Sequence, residues 1–245
     1  MILITRPQVE SNILAKELLK YNIKTCTEPL ISFSHNENIF FKNMPANYIL
    51  SSTRSVDVLE KNFSRLKNIL ERGDFYIIGE KVKSKLHALG LKNVIGTFDN
   101  SSLLIKSLSQ KHFNSNPFIY LCGNVLNSNL LEEIKNLGIN IEEKFLYKTI
   151  QRKKLTKKTV QLIDNGKINA VVLFSSYTAK TFIQLISNEK LVEKIKNLHF
   201  FCLSLQIANV LRKNQFQHVD YCKFSNQEEM IQMLKNHKIF KKQGT

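Results

Sequence analysis

Cysteine is scarce in this 245-residue chain, and its four copies, Cys26, Cys122, Cys202 and Cys222, show neither a CxxC pair nor any His/Cys spacing suited to zinc. Disulfides and structural metal are both poor readings of such positions, which leaves reduced thiols. No apolar stretch approaches the roughly 18 uninterrupted residues of a membrane span, and Met1-Ile2-Leu3-Ile4-Thr5-Arg6 lacks the basic start and long apolar middle of a signal peptide. A cytoplasmic protein with no membrane partner is expected. Neither GxGxxG nor GxxxxGK[ST] occurs, so nothing around Gly79 or Gly123 suggests a nucleotide. Acidic residues are outnumbered 36 to 20 by Lys and Arg, for a formal net charge of +16, a field that concentrates anionic ligands. The excess is mostly Lys, scattered through helices rich in Asn and Ile, while Phe174, Phe182 and Phe201 sit at core-like positions. A solvated basic surface is therefore favoured over a nucleic-acid partner.

What the chain does contain is a repeat. An apolar run that ends in hydroxyl side chains occurs as Tyr48-Ile49-Leu50-Ser51-Ser52-Thr53 and as Val171-Val172-Leu173-Phe174-Ser175-Ser176, offset by 175 − 52 = 123 positions. Each run is too short for a buried helix and is followed by helical spacing, Val56, Leu59 and Phe63 in one copy, Ala179, Phe182, Leu185 and Ile186 in the other. Both read as a buried parallel strand, a polar turn and a helix. Ile2-Leu3-Ile4, the turn Thr5-Arg6-Pro7 and a helix through Ile13, Leu14, Leu18 and Leu19 match Phe118 to Leu121, the turn Cys122-Gly123-Asn124 and a helix through Leu130, Leu131, Ile134 and Leu137, with 119 − 2 = 117. Phe75 to Glu80, with Val82, Leu86 and Leu89, matches Phe200 to Ser204, with Ile207, Val210 and Leu211, at 204 − 79 = 125.

Short strands at Ile23 to Cys26, Ile139 to Ile141, Val94-Ile95 and Val219, and closing helices at Leu103 to Leu108 and Met230 to Leu234, complete the units. Their order is short, long, short, long. Strands alternating with helices make parallel sheets the natural architecture of an α/β fold. Ligands of such sheets bind outside the carboxyl ends of the strands, so the two hydroxyl turns suggest two facing half-sites. Ile31 to Asn38 and Phe145 to Ile150 read as extended linkers, Asn114-Ser115-Asn116-Pro117 as a loop, and Lys238 to Thr245 as a frayed basic tail.

The order of these motifs resembles the uroporphyrinogen-III synthase family, whose members close the linear tetrapyrrole hydroxymethylbilane into a macrocycle. Five segments carry the resemblance: Ile4-Thr5-Arg6-Pro7, Glu28-Pro29-Leu30-Ile31, Leu50-Ser51-Ser52-Thr53-Arg54-Ser55-Val56, Cys122-Gly123-Asn124 through Gly138 to Tyr147-Lys148-Thr149, and Leu173-Phe174-Ser175-Ser176. It implies two flavodoxin-like three-layer α/β domains with parallel sheets. One is discontinuous, residues 1–32 and 151–245, the other inserted, residues 36–147, and a two-stranded linker, residues 31–35 and 146–150, joins them. It further implies a monomeric cyclising lyase of haem biosynthesis with no cofactor and no metal. The chain departs from the family where Ser204-Leu205-Gln206 replaces a Gly, a small residue or Pro, and Thr; where Val82 replaces a Thr; and where Thr53 and Ser176 replace Pro.

The bilane carries eight carboxylates, and the turns after Thr5, Ser52, Gly79, Cys122, Ser175 and Ser204 would each offer a helix N-terminus to an anion. Candidate substrate-binding residues are Arg6, Ser52, Thr53, Arg54, Gly79, Glu80, Cys122, Gly123, Asn124, Ser175, Ser176, Tyr177, Ser204, Leu205 and Gln206. The hydroxyls at 52, 53, 175 and 176 read first as helix N-caps, a role compatible with ligand binding by the remaining amides. Arg6 and Arg54 would pair with carboxylates or lie as ordinary surface residues. The resemblance makes Tyr147 the candidate donor of a proton to the departing hydroxyl; the plain alternative is a packed linker aromatic. Glu28, Glu80, His35, His87, His112, His199, His218 and His237 form no recognisable acid–base, triad or metal constellation in the sequence. A non-catalytic two-lobed protein that binds small anions would share the fold and the charge.

Overall fold

The structure, a computed structural model, describes residues 1–36, 39, 41, 44–110, 116–125 and 128–241. The expectations for Asn38, for the loop residues Asn114 and Ser115, for His112 and for the tail beyond residue 241 lie outside the described residues. The chain runs β1 (Ile2–Ile4), α1 (Gln8–Leu19), β2 (Thr25–Thr27), β3 (Ile31–His35), β4 (Asn47–Leu50), α2 (Thr53–Lys61), α3 (Phe63–Leu70) and β5 (Asp74–Ile78). It continues through α4 (Glu80–Ala88), β6 (Val94–Phe98), α5 (Ser101–Ser109), β7 (Phe118–Gly123), α6 (Ser128–Asn136) and β8 (Ile141–Gln151). Then follow α7 (Lys157–Asp164), β9 (Ala170–Leu173), α8 (Ser176–Asn188), α9 (Val192–Ile195), β10 (His199–Cys202), α10 (Leu205–Lys213), β11 (Val219–Tyr221), α11 (Gln227–Asn236) and α12 (Lys238–Lys241). Two compact units result, Met1–Ser32 with Ile150–Thr245, and Phe33–Thr149. Among the described residues no helix is long and apolar enough to cross a membrane.

In the first unit the parallel strands lie in the order β11-β10-β9-β1-β2. Read from β2 in chain order this is 2-1-3-4-5, a doubly wound sheet. Its central strands β1 and β9 are apolar and fully buried because helices cover both faces, whereas the edge strands β2 and β11 carry polar residues. Leu3, Val171, Leu173, Phe182 and Phe200 pack on one face. Ile2, Ile4, Val172, Phe201 and Met230 pack on the other.

The second unit orders its strands β3-β8-β7-β4-β5-β6, with β8, β7, β4, β5 and β6 parallel. The run β8-β7-β4-β5-β6 repeats the pattern of β2-β1-β9-β10-β11, so the sequence repeat is a repeat of position in the sheet. Tyr48, Leu50, Phe75 and Ile77 fill one core, and Ile49, Tyr76, Tyr120 and Leu131 the other.

Three local expectations are corrected, and one helix was missed. The helix expected through Val56, Leu59 and Phe63 breaks at Asn62, whose side chain donates to the Val58 carbonyl at 2.9 Å, and Phe63 opens α3. Ile13 and Leu19, expected in the core face of α1, are 52% and 67% exposed; Ser11, Leu14 and Leu18 are buried instead. The short strand expected at Ile139 to Ile141 begins only at Ile141 and runs on without a break through the extended segment at Phe145 to Ile150 as β8. Helix α7, capped by Thr156, was not legible because it buries only Thr159 and Ile163, too thin a stripe to show as periodicity.

Candidate functional site

In doubly wound sheets the ligand crevice opens where the strand order reverses, at the carboxyl ends of the two strands that flank the reversal. In the second unit those strands are β7 and β4. The turn after β4 places Ser52 in extended conformation, and its hydroxyl accepts from the Arg54 N–H at 3.2 Å, capping α2. Ser55 Oγ donates to the Leu121 carbonyl at 2.8 Å and fixes the start of α2 against β7. Ser51 Oγ and the Tyr120 hydroxyl are 2.7 Å apart. The β7–β8 register shifts between Cys122 and Gly123, which sets Tyr147 opposite Gly123. A Cβ at position 123 would lie 2.4 Å from Cε2 of Tyr147, so glycine is what lets the ring lie flat against the neighbouring strand.

The Tyr147 hydroxyl donates to Ser52 Oγ at 3.2 Å. Its ring meets Phe33 edge-on, centroids 5.8 Å apart, and the Arg54 guanidinium lies over that same Phe33 ring at 3.6 Å. Ser52, Arg54, Gly123 and Tyr147, four of the expected site residues, are thus brought together. Asn124 steadies the group from outside: its N–H donates to the Tyr147 carbonyl at 3.2 Å and its Oδ1 accepts from the Thr149 N–H at 2.7 Å.

Other expected members of this edge are placed differently. Cys122 is turned into the core beside Tyr120 and Leu130, and burial pushes its thiol up to about 12, so its side chain faces no ligand. Asn124 and Val125 lie in a bend outside any helix, so the Cys122-Gly123-Asn124 turn is not itself a helix N-terminus. Gly79, at φ +97°, makes the turn into α4 as its N-cap residue. Glu80 fills the first turn of α4 and pairs with Lys83 at 3.2 Å; a carboxylate there opposes an anionic ligand rather than binding it. Thr53 is the first residue of α2 and half-buried.

In the first unit the reversal lies between β1 and β9. Thr5 is buried, and its Oγ1 donates to the Val172 carbonyl across the two strands at 2.8 Å. Arg6 lies over the Phe174 ring at 4.0 Å and donates to Gln227 Oε1 at 2.6 Å. Ser175 caps α8, accepting from the Thr178 N–H at 3.0 Å. Ser176 and Tyr177 are the half-buried first residues of that helix. Ser204, Leu205 and Gln206 line a separate open pocket of about 680 Å³ together with Tyr221, Cys222, Lys223 and Ser225. Ser204 precedes α10 without a side-chain cap, so the backbone amides of that first turn have no hydroxyl in front of them.

Sequence reasoning missed Phe33, Phe174 and Gln227, which orient the two arginines, and Lys223, the cation of the pocket. Phe174 directly follows β9 and Lys223 stands two residues after β11, and that position was the available signal.

Two doubly wound sheets whose reversal points carry hydroxyl-capped helix starts, an arginine stacked on Phe and, in one of them, a phenol at the edge, define the class: a two-sheet α/β protein of the doubly wound type. The family model described as uroporphyrinogen-III synthase HemD matches residues 12–232. The chain belongs to the uroporphyrinogen-III synthase family, cyclising lyases of haem biosynthesis. An uncharacterized protein of Rickettsia prowazekii (strain Madrid E) is 24% identical, with 95% of this chain and 97% of that protein aligned. Two solved structures share the fold. Uroporphyrinogen-III synthetase from Helicobacter pylori 26695 superposes with a TM-score of 0.63 at 15% identity, covering 95% of this chain and 97% of that one. A mutant uroporphyrinogen III synthase from the extremely thermophilic bacterium Thermus thermophilus gives 0.64 at 13% identity, covering 98% and 97%.

Proposed function

We propose that this chain converts hydroxymethylbilane to uroporphyrinogen III with Tyr147 as the proton donor. The observation that carries the assignment is the Tyr147 hydroxyl, donating to Ser52 Oγ at the strand reversal with Gly123 making room for its ring. Ser52 retains the Arg54 N–H when the phenol turns to a new acceptor, so the exchange leaves no polar group unpaired. The phenolic proton passes to the hydroxyl of the hydroxymethyl group, the C–O bond breaks, and water leaves a cationic azafulvene. The substituted carbon of the terminal ring attacks the methylene to give a spiro intermediate. That intermediate fragments, recloses with the ring inverted, and returns a proton to the phenolate.

Helix starts contribute about 0.3–1 kcal/mol each to a nearby carboxylate, and Arg6 and Arg54, stacked on Phe174 and Phe33, add positive charge at the strand ends. The main task is positional: the fold of the bound bilane must favour the inverted closure over direct head-to-tail closure. In this reading residues 1–32 and 151–245 form one domain, 36–147 the other, and 31–35 with 146–150 the linker, a division supported by the two compact units. The protein acts as a monomer in the cytoplasm.

The test is a coupled assay in which hydroxymethylbilane is generated in situ and the oxidised products are separated into type I and type III isomers. Type III in proportion to added protein is expected. Type I alone, from protein with a native circular dichroism spectrum, overturns the proposal and leaves anion binding without turnover.

A further inference from the structure

Three imidazoles and a carboxylate that the sequence keeps apart converge on the first unit, at the amino ends of its strands and so at the opposite edge from the reversal point. His199 opens β10, His218 immediately precedes β11, Asp220 lies within β11 and His237 follows the end of α11. The β10–β11 register pairs Phe200 with Val219 and Phe201 with Asp220, so His199, Phe201, His218 and Asp220 share one face of the sheet, and His237 comes down on it from the helix. The His199 ring stacks on His218 with centroids 5.0 Å apart and meets His237 at 4.8 Å. His237 Nε2 stands 3.7 Å from Asp220 Oδ2, and one donor atom each from His199, Asp220 and His237 lie within 4.8 Å of one another. His199 Nδ1 is buried and has no hydrogen-bond partner. A buried ring nitrogen with nothing to bond is costly unless a ligand satisfies it.

We infer that His199, Asp220 and His237 form a zinc(II) site. Two imidazole nitrogens and one carboxylate oxygen, with a fourth position for water or His218, is a set that suits a tetrahedral divalent ion. Bonds of about 2.0–2.2 Å would draw the three donor atoms to roughly 3.3 Å from one another, a side-chain movement of about 1 Å. His237 gives up little by ligating through Nε2, since its Nδ1 accepts only a long 3.4 Å contact from the Ile239 N–H. The ion would join β10, β11 and the α11–α12 junction, so it acts as a clasp on the C-terminal segment, separate from the synthase chemistry.

The test uses the full chain, stripped of metal, with zinc chloride followed by calorimetry and thermal melting, and cobalt(II) as a spectroscopic substitute. One zinc per chain, a rise in Tm and a cobalt spectrum without a thiolate charge-transfer band are expected. Asp220→Asn, at an exposed position that tolerates the change, and His237→Gln should each weaken zinc binding at least tenfold while type III formation is unchanged. Absence of binding, binding equal in wild type and both variants, or a thiolate band showing that the buried cysteines hold the metal would each overturn the inference.

Discussion

Residues 28–30 and 145–147 hold equivalent places in the two units. They are 147 − 30 = 117 positions apart, and the registers Ile2 with Thr25 and Ile119 with Glu142 differ by the same amount, 142 − 25 = 117. In the first unit Glu28 is fully buried and accepts from Arg152 Nη1 at 2.8 Å, from the Thr156 N–H at 3.3 Å, and from the hydroxyls of Thr156 and Thr159. The carboxylate thereby anchors the start of α7 to the end of β2, and Leu30 beside it is core. In the second unit the corresponding strand continues as β8, Leu146 is the buried residue, and Tyr147 carries its phenol to the sheet edge. The fold duplicates the capped helix starts, whose free N–H groups suit anions, but it does not duplicate Tyr147, the residue we propose as proton donor. Chemistry resides in side chains placed on a repeated scaffold, and one copy can be given over to structure.

If that division is right, substitutions at the two places separate cleanly into loss of turnover and loss of stability. The largest effect belongs to Tyr147→Phe: kcat falls by about 100-fold or more, the range for removing a general acid, while the urea midpoint stays put. Isomer analysis in the coupled assay measures it, and unchanged kinetics would remove Tyr147 from the reaction. Glu28→Gln comes next, with the opposite signature. The neutral amide cannot accept the full set of donors around it, so unfolding free energy drops by about 2 kcal/mol while kcat of the folded protein is retained. Urea titration alongside the assay reads both. A loss of turnover without a loss of stability would break the contrast between the units.

Gly123→Ala sharpens it further. The added methyl meets the Tyr147 ring, so the phenol must leave Ser52, at a stability cost of about 1–2 kcal/mol and with turnover reduced toward the Tyr147→Phe level. The same change in a Tyr147→Ala background meets no ring, and its cost should largely vanish. Full additivity in that double-mutant cycle would show that the glycine serves something other than the tyrosine.

The parallel α/β architecture was legible because the strands are short, unbroken apolar runs, each followed by a helix, and because the repeat left regular offsets. What failed did so for physical reasons. Val56, Leu59 and Phe63 keep a helical period across Asn62, since a side-chain hydrogen bond that breaks a helix leaves no trace in hydrophobic spacing. The arginines were found from their position after strands, but their orientation depends on Phe33 and Gln227, which are distant in sequence from Arg54 and Arg6 and meet them only through sheet order. Cys122 was chosen for its place in a turn, yet it points inward because alternate residues of a strand face opposite sides. The histidine cluster was invisible for the same reason: a sheet register, not a motif, assembles it.

The smallest effect at neutral pH is an alkaline one, and it distinguishes the units by their buried titrating groups. Burial raises the thiols of Cys202 to about 12 and of Cys222 to about 11 in the first unit, and that of Cys122 to about 12 in the second, from an ordinary value of 9.0. It also raises the phenols of Tyr48, to about 12, and of Tyr76 and Tyr120, all in the second unit, from 10.0. A thiol whose folded pKa lies above its unfolded one keeps its proton when the unfolded chain has lost it. The unfolded state then binds fewer protons, and stability falls with rising pH by about 1.4 kcal/mol per pH unit for each such group. Below pH 9 none of these groups contributes a slope. Between pH 9 and 10 two thiols act on the first unit against one on the second, so the first weakens faster. Above pH 10 the three phenols join Cys122, and the second unit becomes the steeper. Alkylation at pH 9.5 and at pH 10.5, with the modified cysteines mapped by mass spectrometry, reads this directly, because each buried thiol reacts only when its own unit opens. The ratio of Cys122 to Cys202 modification should rise between the two pH values; a constant ratio would mean that the units open together, and that the division between them does not extend to their unfolding.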